Sequence, residues 1–519
     1  MLVSVDTKGE TLSVETGEDA KTLCERTTIA VSLYKKTGVV LSLPVTLPVC
    51  KTRSLFFVTV DTSYSVVYFL WLKHSMNLDV RSFMSTNAHE HLPVIIVGGG
   101  QAGLSASYCL KQKNIDHIVL EKHAIAHSWQ TQRWDTFCLV TPNWQCQLPG
   151  YPYLGDDPHG FMPRDEIVQY VRDYARFFDA PIKEGVTVEK ISQQQATFTI
   201  ETSIGDYTAD QVIIAVGGYH RPKVPRMAER LPDSVVQLHS SAYKRPDDLP
   251  EGAVLVVGTG QSGCQIAEDL HLAGRQVHLC VGGAPRSPRE YRGKDVVDWL
   301  DQLGYYDISI DEHPQKESVR TKTNHYVTGR GGGREIDLRQ FATEGMQLYG
   351  RLNRVESSIG SKEETQLFFN DDLQQNLDYA DGVAESIKNT IDDYIDKAGI
   401  EAPVEPPYEP VWQPKDIPEK IGLKAANITS VIWSTGYHTD FSWIAVPAFD
   451  GKGYPTHRRG VTSVSGLYFL GLPWLYTWGS GRFSGVARDA VYLADCVALK
   501  QKPPAEPFVP FVNEVAIGS

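Results

Sequence analysis

The stretch Leu92-Pro-Val-Ile-Ile-Val-Gly-Gly-Gly-Gln-Ala-Gly-Leu-Ser-Ala-Ser-Tyr-Cys-Leu110, with Ile118-Val-Leu-Glu121 a little further on, decides the fold. Val94–Val97 is a short apolar run of the kind that makes a buried parallel strand. Gly98, Gly100 and Gly103 then form G-x-G-x-x-G where that strand turns into a helix. Gly98 suits a tight turn, Gly100 lets a pyrophosphate approach the backbone, and Gly103 lets helix and strand pack closely. The helix start offers N–H groups and the positive end of its dipole to phosphates. Ile118–Leu120 reads as the next strand, and Glu121 closes it, where a carboxylate can accept hydrogen bonds from a ribose. Strand, turn, helix, strand and acid in this order predict a dinucleotide site.

The pattern returns. Val254–Val257 leads into Gly258-Thr-Gly260-Gln-Ser-Gly263, a helix to Ala273, a stop at Gly274 and a strand over Gln276–Val281. Two complete units are far more specific than one. They differ where the acid should stand, because the second strand runs into Gly282-Gly283 and no carboxylate follows. Arg286 and Arg289 come next, and their guanidinium groups suit a 2′-phosphate unless they are merely solvated.

Length and composition agree with a large multidomain chain. It has 519 residues, 42% of them hydrophobic and 10% aromatic, enough for a sizeable core. A formal net charge of −13 argues against non-specific nucleic-acid binding and against an anionic membrane surface. The eight cysteines contain no C-x-x-C, which suggests neither a redox dithiol nor a zinc site and suits a reduced, cytoplasmic setting. No histidine spacing points to a metal.

Elsewhere the chain is read as follows. Residues 1–92 are expected to be an extension, disordered or upstream of a true start at Met84. Within them Leu55–Leu72 is apolar enough to suggest a span, but Asp61 at its middle costs roughly 2.5–3.5 kcal/mol on insertion scales. Pro163–Phe178 has the helical spacing of Ile167, Tyr170, Val171, Tyr174 and Phe178. Val186–Ile191 and Ala196–Thr202 alternate like a hairpin. Gln211–Val216 is a buried strand ending in the break Gly217-Gly218. Helices are expected over Asp295–Leu303, Glu335–Leu352 and Asp378–Lys397, a proline-rich linker over Glu401–Pro418, and a last helix over Ser484–Leu499. Val431–Trp433 ends in Ser434-Thr435-Gly436, mirrors Val212–Gly218 and is expected to carry the chain back into the first domain. Trp474, Tyr476 and Trp478 read either as a pocket wall or as core.

On these residues the sequence resembles the flavin-containing, single-component (class B) flavoprotein monooxygenases. It is most similar to their CzcO-like bacterial branch and to the flavin-dependent oxidoreductases of nitrilase gene clusters. The resemblance covers 93–290 and 425–500. It implies an α/β fold with two Rossmann-like dinucleotide-binding domains, the NADPH domain (246–424) inserted into the FAD domain (93–245 and 425–519). It places FAD on Gly98, Gly100, Gly103 and Glu121, with Trp129, Arg133 and the Arg133–Asn143 segment lining the flavin. NADPH falls to Gly258, Gly260 and Gly263, and Thr435-Gly436 becomes the return crossing. Of the family pattern F-x-G-x-x-x-H-x-x-x-F/Y/W, His239 and Tyr243 match, while Asp233 and Val235 replace the Phe and Gly. Ala126 and His127 stand where the family has glycines. His239 reads as a catalytic or hinge residue or as a loop histidine in a structural bond. Asn143 reads as a flavin-side hydrogen-bond donor or as an ordinary turn residue after a proline.

The implied activity is that of an NADPH- and O2-dependent monooxygenase acting on a small organic substrate through oxygen added at the flavin. Competing readings are an NADPH-dependent flavin reductase or oxidase and a non-catalytic flavoprotein. The missing dithiol counts against a disulfide reductase, and the second nucleotide motif counts against a sensor.

Overall fold

The computed structural model describes residues 90–358 and 361–501 and, before them, the antiparallel strand pairs Leu2–Val5 with Leu12–Glu15, Glu25–Tyr34 with Val40–Val49, and Phe56–Val58 with Val67–Phe69. The expected start at Met84 lies outside the described residues, as does Asp61 within the Leu55–Leu72 run.

Strand β1 (Glu90–Val97) feeds helix α1 (Gln101–Gln112), which returns to β2 (His117–Leu120). β1 pairs in parallel with β2 on one side. Val94, Ile95 and Ile96 are fully buried, because helices and loops cover both faces of the sheet. Helix α2 (Arg164–Phe177) presents Ile167, Val168, Val171, Tyr174 and Ala175 to that core, three and four residues apart. Asp165 and Glu166 in its first turn and Arg176 in its last complement its dipole. Strands β3 (Val188–Gln194), β4 (Thr197–Thr202) and β5 (Tyr207–Ile214) form an antiparallel meander. β5 continues far enough to pair in parallel with β1 along Tyr207–Ile214. The buried strand read at Gln211–Val216 is therefore the second half of β5, which begins at Tyr207 and ends at Ile214.

The chain then leaves the first sheet and builds a second. Strand β6 (Val236–His239) is followed by β7 (Ala253–Val257), helix α3 (Gln261–Leu272) and β8 (Val277–Cys280). Short helices α4 (Val296–Gln302) and α5 (Leu338–Thr343) start on Asp295 and Asp337, whose carboxylates accept from first-turn N–H groups. Strand β9 (Gln347–Tyr349) pairs with β8. The long helix expected over Glu335–Leu352 is thus confined to α5. Gly345, at φ +107, ends it, and the following residues gain parallel partners on β8. Strands β10 (Leu352–Ser358) and β11 (Ser361–Phe369) form a hairpin, and helix α6 (Leu373–Ala398) buries Ile391 and Ile395.

Strand β12 (Ile428–Trp433) lies between β6 and β7, parallel to both. This corrects two placements. Neither β6 nor β12 belongs to the first sheet, and the return crossing begins after Trp433 rather than before the strand. Apolar β-branched residues at Ile428, Val431 and Ile432 announce a buried strand, but only pairing says which sheet takes it. After the crossing, β13 (Leu467–Phe469) joins the first sheet beside β5, and helix α7 (Val486–Gln501) packs under it. The architecture is α/β, with two Rossmann-like units and the second inserted into the first.

Candidate functional site: two nucleotide cradles and the crossings between them

The first cradle forms where β1 turns into α1. Gly98 adopts φ +107, and a β-carbon there would lie 2.6 Å from the carbonyl oxygen of Ala215. A β-carbon on Gly103 would run into the carbonyl oxygen of Gly98, so helix and strand approach each other only through glycine. Gly100 is different: nothing lies within 4 Å of its β-carbon position, and no side chain caps the helix it begins. That open, uncapped helix start fits a pyrophosphate. Glu121 stands at the end of β2, where its carboxylate accepts from the N–H of Gly99 at 2.6 Å and of His123 at 2.8 Å. These bonds fix the acid at the rim of the cradle.

The second cradle repeats the first. Gly258 has φ +104, with its β-carbon position 2.8 Å from the carbonyl oxygen of Ser434. A β-carbon on Gly263 would meet the carbonyl oxygen of Gly258, and that of Gly260 faces only Thr323 Cγ2, at 3.9 Å. Helix α3 likewise lacks a side-chain cap. In each unit the first glycine backs onto the residue where the chain leaves the sheet.

The two arginines expected at a 2′-phosphate are a correction. Arg286 is 2% exposed, bonded to Glu335, 2.9 Å from Asp381 and 4.2 Å from the ring centre of Tyr408. Arg289 is 4% exposed, 3.1 Å from Asp295, and donates to the carbonyl of Val140 at 2.8 Å. Spacing after β8 placed them near the right strand end. The carboxylates that claim them come from α6, the 330s and α4, which spacing does not reveal.

The crossings are tied together. Arg221–Pro222 pairs with Tyr437–His438, and the hydroxyl of Thr435 donates to the carbonyl of Lys223. Gly436, at φ +82, accepts from Lys223 N–H and from His239 Nε2, each at 2.9 Å. The Nδ1 of His239 faces the N–H and hydroxyl of Ser241. His239 is buried, which lowers its pKa, although the bond to Gly436 opposes this. Tyr243 is fully buried and donates to Asp269 on α3 at 2.6 Å. Asp269 also accepts from Thr136 and pairs with Arg330 at 2.7 Å. Beside it, Glu268 lies 2.9 Å from Arg334, and burial raises its pKa. The turn Arg330–Arg334 thus clasps the second cradle's helix, a role that its composition alone does not suggest.

Trp129 donates to Gln101 at the start of α1 at 3.3 Å and stacks on Phe483 at 5.6 Å. Arg133 is half-buried, lies over Trp129 and Phe137 at 5.2 and 5.4 Å, and has its pKa lowered by burial. Asn143 is buried. Its amide oxygen accepts from Met162 N–H at 2.7 Å, and its nitrogen donates to the carbonyl of Asp157 at 3.0 Å. The structure shows it clasping the 157–162 loop. Of the three aromatic residues, Trp474 packs as core with Ile310 and Val319, whereas Trp478 is half-buried and meets Tyr306 at 4.7 Å. Sequence reasoning missed Arg482, whose guanidinium lies 3.9 Å from the centre of Trp478. Its place beside Trp478-Gly-Ser-Gly was the only signal.

Among the described residues no group of side chains could hold a metal, and no helix is long and apolar enough to cross a membrane. All six described cysteines are free, and burial pushes the thiols of Cys109 and Cys146 up to about 12.

Residues 95–341 match the pyridine nucleotide-disulphide oxidoreductase family model. An uncharacterized CzcO-like oxidoreductase of Geobacillus kaustophilus is 34% identical over 77% of this chain and 96% of its own length. An indole-3-pyruvate monooxygenase of Arabidopsis thaliana is 33% identical over 38% of this chain and 50% of its own length. A doubly substituted flavin monooxygenase from Stenotrophomonas maltophilia shares the fold, with a TM-score of 0.54 at 17% identity over 79% of this chain and 99% of its own. A relative matched along nearly its whole length, together with a fold that carries two nucleotide cradles, places the chain among the CzcO-like oxidoreductases.

Proposed function

We propose that this oxidoreductase is a cytoplasmic NADPH- and O2-dependent monooxygenase that holds FAD on the first unit and NADPH on the second. Its substrate is a small organic molecule oxygenated at nitrogen, at sulfur or beside a carbonyl. The observation that carries the reading is the doubled cradle. Gly100 and Gly260 each open onto an uncapped helix start, while the flanking glycines are closed by backbone. Two dinucleotides held by the same device call for hydride transfer from one to the other.

In this reading Glu121 holds the adenosine ribose of FAD, and Trp129, Arg133 and Phe483 border the flavin. When bound, the flavin supplies the redox and oxygen chemistry. The chain's own part is to bind both nucleotides, to bring the units together through the crossings at Gly217–Gly218 and Ser434–Gly436, and to exclude water. His239 positions the return crossing, and Asn143 is a positioning residue that holds the 157–162 loop. Among the described residues the buried thiols, far from thiolate at neutral pH, count against a thiol-dependent reductase.

The test is the balance of a turnover. The FAD-loaded protein is given NADPH and labelled O2 with amines, sulfides and ketones, and peroxide and labelled product are counted together. Labelled product matching NADPH consumed supports the reading. Peroxide alone, with every substrate, replaces it by an oxidase or reductase.

A further inference from the structure

Arg482, like Arg133 and Arg275 and unlike most arginines of the interior, has no carboxylate partner among the described residues. Arg286, Arg289, Arg330, Arg339 and Arg459 each meet a carboxylate. The Nη1 of Arg482 donates to the carbonyl of Trp478 and its Nη2 to Oδ1 of Asn324 at 2.8 Å. A guanidinium has five N–H donors, so more than half of its capacity is left for a ligand. The group is half-buried, so it is reachable from solvent. Burial lowers its pKa, partly offset by the phenols of Tyr219, Tyr306 and Tyr305, but a guanidinium stays charged throughout the working range. Its neighbour His325 is driven towards the neutral form, because burial, and then Arg482 itself, lower its pKa.

The position of this charge matters as much as its lack of a carboxylate partner. The next residue, Phe483, stacks on Trp129 beside the first cradle. Its partner Asn324 follows Thr323, whose methyl is the only atom within 4 Å of the open side of Gly260 in the second cradle. One guanidinium is therefore tied to both nucleotide sites. Around it stand aromatic faces: Trp478 beneath it, Tyr306 against Trp478 at 4.7 Å, and Tyr305 against Tyr306 at 5.5 Å. A partly desolvated cation without a counter-ion is costly, and a bound anion relieves that cost.

We propose that Arg482 anchors the carboxylate of an anionic organic substrate whose apolar body packs on Trp478 and Tyr306. The planar fork matches a carboxylate in two parallel hydrogen bonds, and the indole and phenol rings supply the apolar wall. This deepens the monooxygenase reading by naming its substrate class, and it rests on that reading for the word substrate.

The test is equilibrium binding, which needs no turnover. FAD-loaded wild type is titrated with phenylacetate and phenylacetamide, then with octanoate and octanamide, following the flavin absorbance. Each acid should bind at least tenfold more tightly than its amide. Arg482→Gln should erase that preference by weakening the acids roughly ten- to a hundredfold, the loss expected for a charged, forked hydrogen bond. Arg482→Lys, which keeps the charge without the fork, should fall between. NADP+ affinity and FAD content should stay within twofold of wild type. Equal binding of acid and amide by wild type, or binding of neither in both pairs, overturns the proposal without any variant having to fold. A loss of NADP+ affinity in Arg482→Gln also overturns it, since the arginine would then belong to the nucleotide. Acid-selective binding by a protein that yields only peroxide would leave the anion site standing and remove the monooxygenase reading.

Discussion

The Nε2 of His239 lies 2.9 Å from the carbonyl oxygen of Gly436, so the end of β6 is bonded to the crossing that returns to the first sheet. Facing a carbonyl, Nε2 must carry the proton, and Nδ1 then accepts from Ser241. Protonating Nδ1 would set a donor against that N–H. Gly436 keeps a second donor in Lys223, so the histidine's loss does not orphan the carbonyl. His239→Ala should therefore cost only about 0.5–1.5 kcal/mol of stability. It should slow flavin reduction by NADPH while leaving FAD content unchanged. Denaturant midpoints and stopped-flow reduction check both halves, and an unaltered reduction rate would limit His239 to stability.

Gly100 and Gly103 should fail in different ways. Gly103→Ala drives a methyl into the carbonyl of Gly98, an overpacking that costs about 1–3 kcal/mol or more, and it should lower the melting temperature of the protein without FAD. Gly100→Ala meets nothing within 4 Å, so it should fold as wild type yet lose FAD affinity, because its methyl occupies the approach of the pyrophosphate. Melting curves with and without FAD separate the two. Normal FAD affinity in Gly100→Ala would move the phosphates elsewhere.

Arg286 should behave as a structural ion. Replacing it with alanine leaves Glu335 without its cation, while Asp381 keeps Arg339 at 2.9 Å, and breaking a buried pair costs about 3–5 kcal/mol. The preference for NADPH over NADH, read from kcat/KM on the folded fraction, should not change. A lost preference with unchanged stability would return Arg286 to the 2′-phosphate.

His278 makes stability depend on pH. It is 4% exposed on β8, and burial pushes its pKa from 6.5 down to about 4. The unfolded chain therefore takes up the proton first. The neutral histidine's contribution is complete above about pH 6.5, declines as pH falls towards 4 and is gone below, at about 1.4 kcal/mol per unit. Urea midpoints between pH 7 and 4 should fall less steeply in His278→Gln than in wild type. Identical slopes would assign the acid sensitivity to other groups.

Much of this protein was legible in its sequence because the decisive features are local. A glycine that needs positive φ, a glycine that must let a helix touch a strand, and an acid closing the next strand all fall within one strand–turn–helix–strand unit. Repetition at Gly258 then announced the second unit, and the structure shows positive φ at Gly98 and Gly258 and close backbone approach at Gly103 and Gly263. The elements after β8 were harder, because Gln347–Tyr349 is a strand only through its partner on β8. What tertiary structure alone decided is who meets whom. Val431–Trp433 reads as a buried strand from its own residues, yet its sheet is set by β6 and β7 on either side. Arg286 and Arg289 stand where a phosphate was expected, but Glu335 and Asp381, distant in the chain, neutralise the first and Asp295 the second, and Arg482, unremarked in the sequence, is left with its charge. Backbone conformation is set by neighbours along the chain. The pairing of a charge is set by neighbours in space, and folding chooses those from the whole sequence at once.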